Sequence, residues 1–470
     1  MLKNLPLRQS SDLTFTLLVS IFVVASLSVA IIFPQADVHK SAAGSEAVVT
    51  AINLMVFGLI IILFTVTFMF VRLMLLFREN QVIKKNWLDR LNQVEANIET
   101  TSINFNHLLE GISKVDRTKI TGWFTVFRRL CEVELLLDRV GNSVLRQRYE
   151  TQKERLNAEF AEEFFSKYPG LAKDKLLSPD ILPAFLENGK KGPLFILVVD
   201  GLRLDHWLKI SSLVRQKLSN YRVKQEQCYF SVLPSITPYA RNSLLSGLNP
   251  YQCAEQFYNG ELKNNQYEET AFFQLAKQHG KKAFYLKAAE NDFQKAIKGI
   301  KNDHYDLKTL VFMFVDGLAH SMTNTRATEK SFRDHVLVEF QQDAMQAILD
   351  KINEQKGTVL LTSDHGSKLV TRTKKLEGIQ NARYLGEKSI FPQRYAVGTI
   401  INRNKIAEGI RVVDDVKQFS LPGGKETKYL FMNGNSRFQS KDNTPVHEFV
   451  HGGISMEEVI VPKIVFESKG

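Results

Sequence analysis

Cysteine is scarce in this chain: three in 470 residues, at positions 131, 228 and 253, far apart and in no metal-ligand spacing. That excludes a disulfide scaffold and suits a reducing compartment. Internal repeats and low-complexity tracts are also missing, and a hydrophobic content of 44% with 24% charged residues excludes wholesale disorder. Acidic residues are in deficit, 50 against 61 basic ones, for a formal net charge of +11. The balance suits anionic partners, phosphate esters or the cytoplasmic leaflet, without choosing between them.

Charge is wholly absent from two stretches, Leu13 to Phe33 and Ala47 to Val71. Each is long enough to cross a hydrocarbon core of about 30 Å as a helix. No small-residue cleavage site follows the first, and the second arrives almost at once, which argues against a cleaved signal peptide. A transmembrane hairpin over residues 1–77 is therefore expected, with helices at about 13–33 and 47–71. Lys3 and Arg8 precede it, Arg72, Arg78, Lys84, Lys85 and Arg90 follow it, and the connecting loop carries Lys40 against Asp37 and Glu46. By the positive-inside rule both ends are expected to be cytoplasmic, and a bacterial inner membrane is the expected location.

Proline is absent from Arg78 to Tyr168, where the sequence is charged and helical. Trp87, Leu91, Val94, Ile98, Thr101, Phe105, Leu108 and Ile112 follow a heptad. Two arrangements satisfy that seam: a homodimer through residues 87–112, or a helix packed on its own neighbour, Ile120 to Tyr149. The segment YPGLAKDKLLSPDILP, 168–183, has the composition of a boundary. It divides a helical linker, 78–168, from a domain spanning 169–470.

Beyond it the pattern is α/β. Three apolar runs read as buried strands, and each closes on an acid: FILVVD on Asp200, LVFMFVD on Asp316, VLLTSD on Asp364. Amphipathic stretches such as His206 to Leu218, Ala271 to His279 and Phe332 to Ile352 separate them, as a mostly parallel sheet with helices on both faces requires. In such sheets ligands bind outside the carboxyl ends of the strands, so the three carboxylates would gather there.

A strand-end Asp alone is most simply a helix cap. Here histidines accompany two of the three. His320 lies four residues after Asp316, one helical turn away, and His365 is adjacent to Asp364, with Gly366 permitting the chain to leave strand geometry. Crowded carboxylates repel unless cations neutralise them, and mixed imidazole and carboxylate donors suit Zn²⁺ first, then Mn²⁺. The inventory suffices for two ions. VHEFVHGGISMEEVIVP adds His447 and His451, a Gly pair that would let the backbone approach a ligand, and a capping box from Ser455 and Glu458. The histidines at 39, 107, 206, 279, 304 and 335 are read as structural or surface residues.

A nucleophile is offered by LPSITPYARNSLLSG, 233–247. Thr237 precedes Pro238, which favours a first helical turn, so its hydroxyl would sit at a helix N-terminus that attracts anions. Arg241, one turn later, would grip phosphate oxygens. The alternative is that Thr237 only caps the helix.

The ordered set Asp200, Thr237, Asp316, His320, Asp364, His365 and His451 resembles the two-metal constellation of the alkaline phosphatase superfamily. DGLRLDHW, LPSITPYARNSLLSG, TSDHGS and HGGISMEEVIVP together resemble its PglZ branch, closest to the effector domain of PorX-like response regulators, from about Leu156 onward. The resemblance implies an alkaline-phosphatase-like fold and two divalent metal ions, Zn²⁺ before Mn²⁺. Asp200, Asp364 and His365 would hold the ion that activates Thr237, and Asp316, His320 and His451 the other. His447 does not match the motif. No receiver domain precedes the effector; the membrane hairpin stands in its place. The implied activity is phosphodiester hydrolysis on nucleotide-type esters, including short oligonucleotides, with Lys287 and Arg383 as further phosphate contacts or parts of a solvated face. A sulfatase needs a Cys or Ser where Thr237 stands. A phospho-group transferase, or a nucleotide-sensing signalling module at the membrane, remains as an alternative.

Overall fold

The computed structural model describes residues 53, 56–61, 63–72, 74–76, 105–187, 192–322, 326–382, 394–439 and 446–469. The chain divides into two units, Met1–Asn92 and Gln93–Gly470. In the first, one helix, Val56–Leu76, has a mean hydropathy of 2.6 and no buried part, and is by length and composition able to cross a membrane. It overlaps the second expected span. The first, 13–33, lies outside the described residues, so the expected hairpin reduces to one apolar helix among the described residues.

The larger unit is built on six strands: β1 (Leu194–Val199), β2 (Tyr221–Phe230), β3 (Ala283–Lys287), β4 (Leu307–Phe312), β5 (Thr358–Thr362) and β6 (Ile460–Ser468). Their order is β2-β6-β5-β1-β4-β3. β3, β4, β1 and β5 run parallel, with Leu194 opposite both Leu307 and Thr358, and β6 is antiparallel to β5 and β2. Every residue of β1, β4 and β5 is buried, so none of the three shows a polar face; β4 includes Lys308, whose Nζ donates to the Ile300 carbonyl at 2.7 Å.

The helices that shape the core and the site include α1 (Gly122–Val140), α2 (Ser143–Leu171), α3 (Ser178–Glu187), α4 (Leu204–Lys217), α5 (Thr237–Ser246), α6 (Glu268–Gln278), α7 (Phe314–Ser321), α8 (Glu329–Phe340) and α9 (Asp343–Asn353). Phe195, Leu197 and Val199 of β1 enter one core with Trp123, Phe160, Trp207, Val336 and Ile348. Leu194, Ile196 and Val198 enter a second with Phe185, Leu244 and Phe272. Helices thus cover both faces.

Several boundaries differ from expectation. The helix expected over Phe332 to Ile352 is two, α8 and α9, parted at Gln341 and Gln342. That over Ile120 to Tyr149 breaks at Gly141, whose φ of 68° is left-handed, and Asn142 then caps α2 through the Leu145 N–H. The proline-bearing segment 168–183 is no open linker: Pro169 lies within α2 and Pro183 within α3.

The seam residues also turn inward. Phe105 and Ile112 are buried in this chain's own core and Leu108 packs against it, while Trp87 to Thr101 lie outside the described residues. The division at 168/169 separates no cores. Trp123, Phe127 and Leu130 share the core of β1, and buried Arg333 of α8 pairs with Glu134 and Asp138 of α1.

A chain beginning at Phe105 is therefore expected to fold, whereas one beginning at Leu156 loses those aromatic contacts and leaves Arg333 short of partners. Breaking a buried ion pair costs about 3–5 kcal/mol. Gel filtration and thermal melts of the two truncations check this; equal melting temperatures would contradict it.

Candidate active site

The site forms where β1, β4 and β5 end. Asp200 follows β1, and its fully buried carboxylate sits beside Gly201, whose φ is +76°. A Cβ there would lie 3.3 Å from Asp316 Cα, so only glycine lets the strand end and α7 approach. β4 stops at Phe312, and Asp316 is carried by the first turn of α7, not by a strand end as expected. Its N–H donates to the Asp200 carbonyl at 3.1 Å. The helix stacks His320 on Asp316 as the four-residue spacing predicts, with Nε2 3.2 Å from Oδ2.

After β5 the chain leaves strand geometry. Asp364 Oδ1 accepts from the Gly201 N–H at 3.3 Å and the His365 N–H at 3.0 Å. Gly366 is required by close approach: a Cβ would stand 2.0 Å from the Glu457 carbonyl oxygen. His365 Nδ1 lies 3.1 Å from the Gly366 carbonyl, which places the proton on Nδ1 and leaves Nε2 to accept from the Thr237 hydroxyl at 3.0 Å. Thr237 opens α5, but Ile236 is the N-cap and no side-chain cap forms there, so the hydroxyl points at the histidine and not at its own helix. Asn265 Nδ2 fixes the Thr237 carbonyl at 3.2 Å.

His451 comes from the C-terminal loop. Its Nδ1 donates to the Ser235 carbonyl at 3.2 Å, Nε2 lies 3.6 Å from Asp316 Oδ1, and its ring stacks on His365 with centroids 4.3 Å apart. Among the described residues, ligand-type atoms within 4.8 Å of one another form two groups, Asp200 with Asp364 and His365, and Asp316 with His365 and His451. His365 belongs to both. His320, expected as a ligand of the second group, rests on Asp316 and lies outside both groups.

The electrostatics fit a divalent cation. Asp200 Oδ1 and Asp364 Oδ2 are buried without hydrogen-bond partners, an arrangement that a bound ion resolves. Burial, and next the Asp364 charge, push Asp200 well above the usual carboxylate range. Burial also opposes ionisation of Asp316, but His320, His451 and His365 outweigh it and hold that carboxyl low. Burial, then His365, depresses His451 to about 3, while the hydrogen bond to Asp316 raises His320. Carboxylate oxygens with imidazole nitrogens are the donor set of Zn²⁺ and Mn²⁺.

Other expected residues are placed differently. Arg241 is 1% exposed, its NH1 on Asp200 Oδ2 and its Nε on Glu268 Oε2 at 2.8 Å, because that face of α5 turns into the protein. It is a buried partner of Asp200 and not a grip open to phosphate. Lys287 ends β3 with Nζ 3.1 Å from Glu268 Oε1, and Arg383 lies outside the described residues. The glycine pair serves the chain's own packing: Cβ atoms on Gly452 and Gly453 would meet the Tyr395 ring at 2.6 Å and the Met432 carbonyl at 2.5 Å. No capping box forms at Ser455, since Glu458 Oε1 instead accepts from Arg394 and the Gly453 N–H. Sequence reasoning missed Glu268, which sits in an unremarkable EET run, and Ser235, whose hydroxyl bonds the Gly453 carbonyl and the Gly452 N–H.

A mixed α/β fold with a mostly parallel central sheet and this cluster of Asp and His side chains defines an alkaline-phosphatase-like hydrolase. The chain belongs to the PglZ family: the model described as the BREX system PglZ alkaline phosphatase-like domain matches residues 181–466. Among solved structures, an inactive variant of murine ectonucleotide pyrophosphatase/phosphodiesterase 5 in complex with AMP is similar at 12% identity and a TM-score of 0.42, covering 58% of this chain and 88% of that one. Phosphonoacetate hydrolase from Sinorhizobium meliloti in complex with phosphonoformate is similar at 13% identity and a TM-score of 0.42, over 59% and 90%. No curated protein sequence matches the chain.

Because His365 Nε2 lies within reach of Asp200 and Asp364 while His320 lies outside both groups, His365→Ala is expected to lose more bound divalent metal than His320→Ala. Metal analysis after gel filtration reads the difference. Full occupancy in a folded His365→Ala protein would contradict the assignment.

Proposed function

We propose that the protein is a metal-dependent phosphodiesterase that acts on nucleotide-type phosphate esters with Thr237 as its nucleophile. The observation that carries this reading is the Thr237 hydroxyl on His365 Nε2 at 3.0 Å, at a helix N-terminus, beside two partnerless carboxylate oxygens. Asp200, Asp364 and His365 would hold one cation, and Asp316 and His451, with His320 turning toward them, a second. Such ions supply Lewis acidity that lowers the hydroxyl pKa and offsets charge on the phosphoryl oxygens. Thr237 Oγ1 gives up its proton to solvent and attacks phosphorus, a Thr–O–P bond forms, and the bond to the leaving alkoxide breaks, the alkoxide taking a proton from solvent. Water then cleaves the Thr–O–P bond and returns the hydroxyl. The positive end of the α5 dipole favours an anion there.

The same reading places the protein among membrane-anchored relatives of PorX-like effectors, held by the helix Val56–Leu76 and the apolar segment 13–33, with the catalytic domain cytoplasmic and Zn²⁺ as the resident ion. The charge distribution flanking the apolar segments supports that orientation. A reporter fused after Gly470 should behave as cytosolic; a periplasmic reporter would overturn the orientation.

Thr237→Ala should keep its metal and lose kcat on the order of a thousandfold or more, and Thr237→Ser should retain part of the activity because a hydroxyl survives. Hydrolysis of a chromogenic phosphodiester at matched metal content is the test. Wild-type rates in Thr237→Ala would leave water as the nucleophile, and nucleotide binding without cleavage by wild type would favour a sensing module.

A further inference from the structure

Asp200 has two carboxylate oxygens in different circumstances. Oδ1 has no partner and lies 3.4 Å from His365 Nε2, on the side of the ligand groups. Oδ2 accepts from Arg241 NH1. Arg241 is in turn held at Nε by Glu268 Oε2 at 2.8 Å, and the other oxygen of Glu268 takes the Tyr285 hydroxyl at 2.8 Å and Lys287 Nζ at 3.1 Å. Asp200, Arg241 and Glu268 are at most 2% exposed, so none of these charges is relieved by water.

We propose that Glu268 is a positioning residue for the metal site, acting through Arg241 to keep Asp200 Oδ1 available to a cation. The proposal rests on the reading that Asp200 is a metal ligand. A guanidinium is a rigid planar fork whose preferred carboxylate contact is bidentate. Glu268 holds the Nε side of that fork, and in that orientation NH1 meets a single oxygen of Asp200. With Glu268 neutralised, the fork is free to turn and take both oxygens, which withdraws Oδ1 from the cation. Its charge, no longer shared between two carboxylates, also repels a neighbouring divalent ion more strongly. Tyr285 and Lys287 hold Glu268 itself, from β3, so the chain of contacts reaches from the half-exposed end of that strand to the metal-ligating oxygen.

The test is Zn²⁺ affinity of the purified full-length protein, measured by competition with a chromogenic chelator. Glu268→Gln should bind Zn²⁺ about 10- to 100-fold more weakly, the range seen when groups that orient ligands are removed. Activity of this variant should recover in excess Zn²⁺ with KM unchanged, an outcome that a purely structural role would not produce. Wild-type Zn²⁺ affinity in a folded Glu268→Gln protein, with only a lower melting temperature, would overturn the proposal. Should Glu268→Gln fail to fold, Tyr285→Phe carries the same test, with affinity expected to fall about twofold or more; wild-type affinity there would overturn it. A wild-type protein that takes up neither Zn²⁺ nor Mn²⁺ would instead overturn the metal reading, and the proposal with it.

Discussion

Two carboxylate oxygens, on Asp200 and Asp364, are buried side by side without partners, with a third carboxylate, Asp316, one residue contact away. Like charges in a medium that screens poorly repel strongly, so the arrangement is tenable only with compensating positive charge. Arg241 supplies part from behind Asp200, and His320, raised by its hydrogen bond to Asp316, supplies more beside that carboxylate. A divalent cation would complete the balance. The close approaches at Gly201 and Gly366, and the ring stack of His365 on His451, draw these groups together.

Such a cluster must be held rigidly, and a buried ionic layer does so. Arg203 NH1 donates to the Ser367 carbonyl just after His365, while its other nitrogens engage Asp205 and Glu329. Lys153 of α2 and Lys368 both pair with Glu457, whose carbonyl oxygen abuts Gly366. Asn157 of α2 bonds the same carboxylate and caps the Met456 N–H. The helices before the α/β domain therefore brace the loop that carries Asp364 and His365, and their role is tied to the site as well as to the core.

The strands and their acids were legible because a central parallel strand is buried on both faces and writes itself as an unbroken apolar run ending where the chain must turn. The spacing of Asp316 and His320, the break after Asp364 and the start of α5 at Thr237 followed from helix and strand geometry alone. What stayed hidden depends on three-dimensional partners. Periodicity showed that Phe105, Leu108 and Ile112 share a face but not what covers it, and the answer is this chain's own core. The position of Arg241 one turn after Thr237 was plain, yet which side of α5 faces inward is set by packing against α6, and that packing delivers the guanidinium to Glu268. The β4 to α7 transition at Met313 lies inside a continuous apolar run, where neither period is visible.

The central claim is that the Thr237 oxygen bonds to phosphorus during turnover. Acid-quenching the enzyme during hydrolysis of a nucleotide phosphodiester, followed by peptide mapping by mass spectrometry, tests it directly. The account predicts a phosphoryl or nucleotidyl adduct on the peptide containing Thr237, absent from Thr237→Ala. Steady hydrolysis with that peptide unmodified, or with the adduct on another residue, would contradict it.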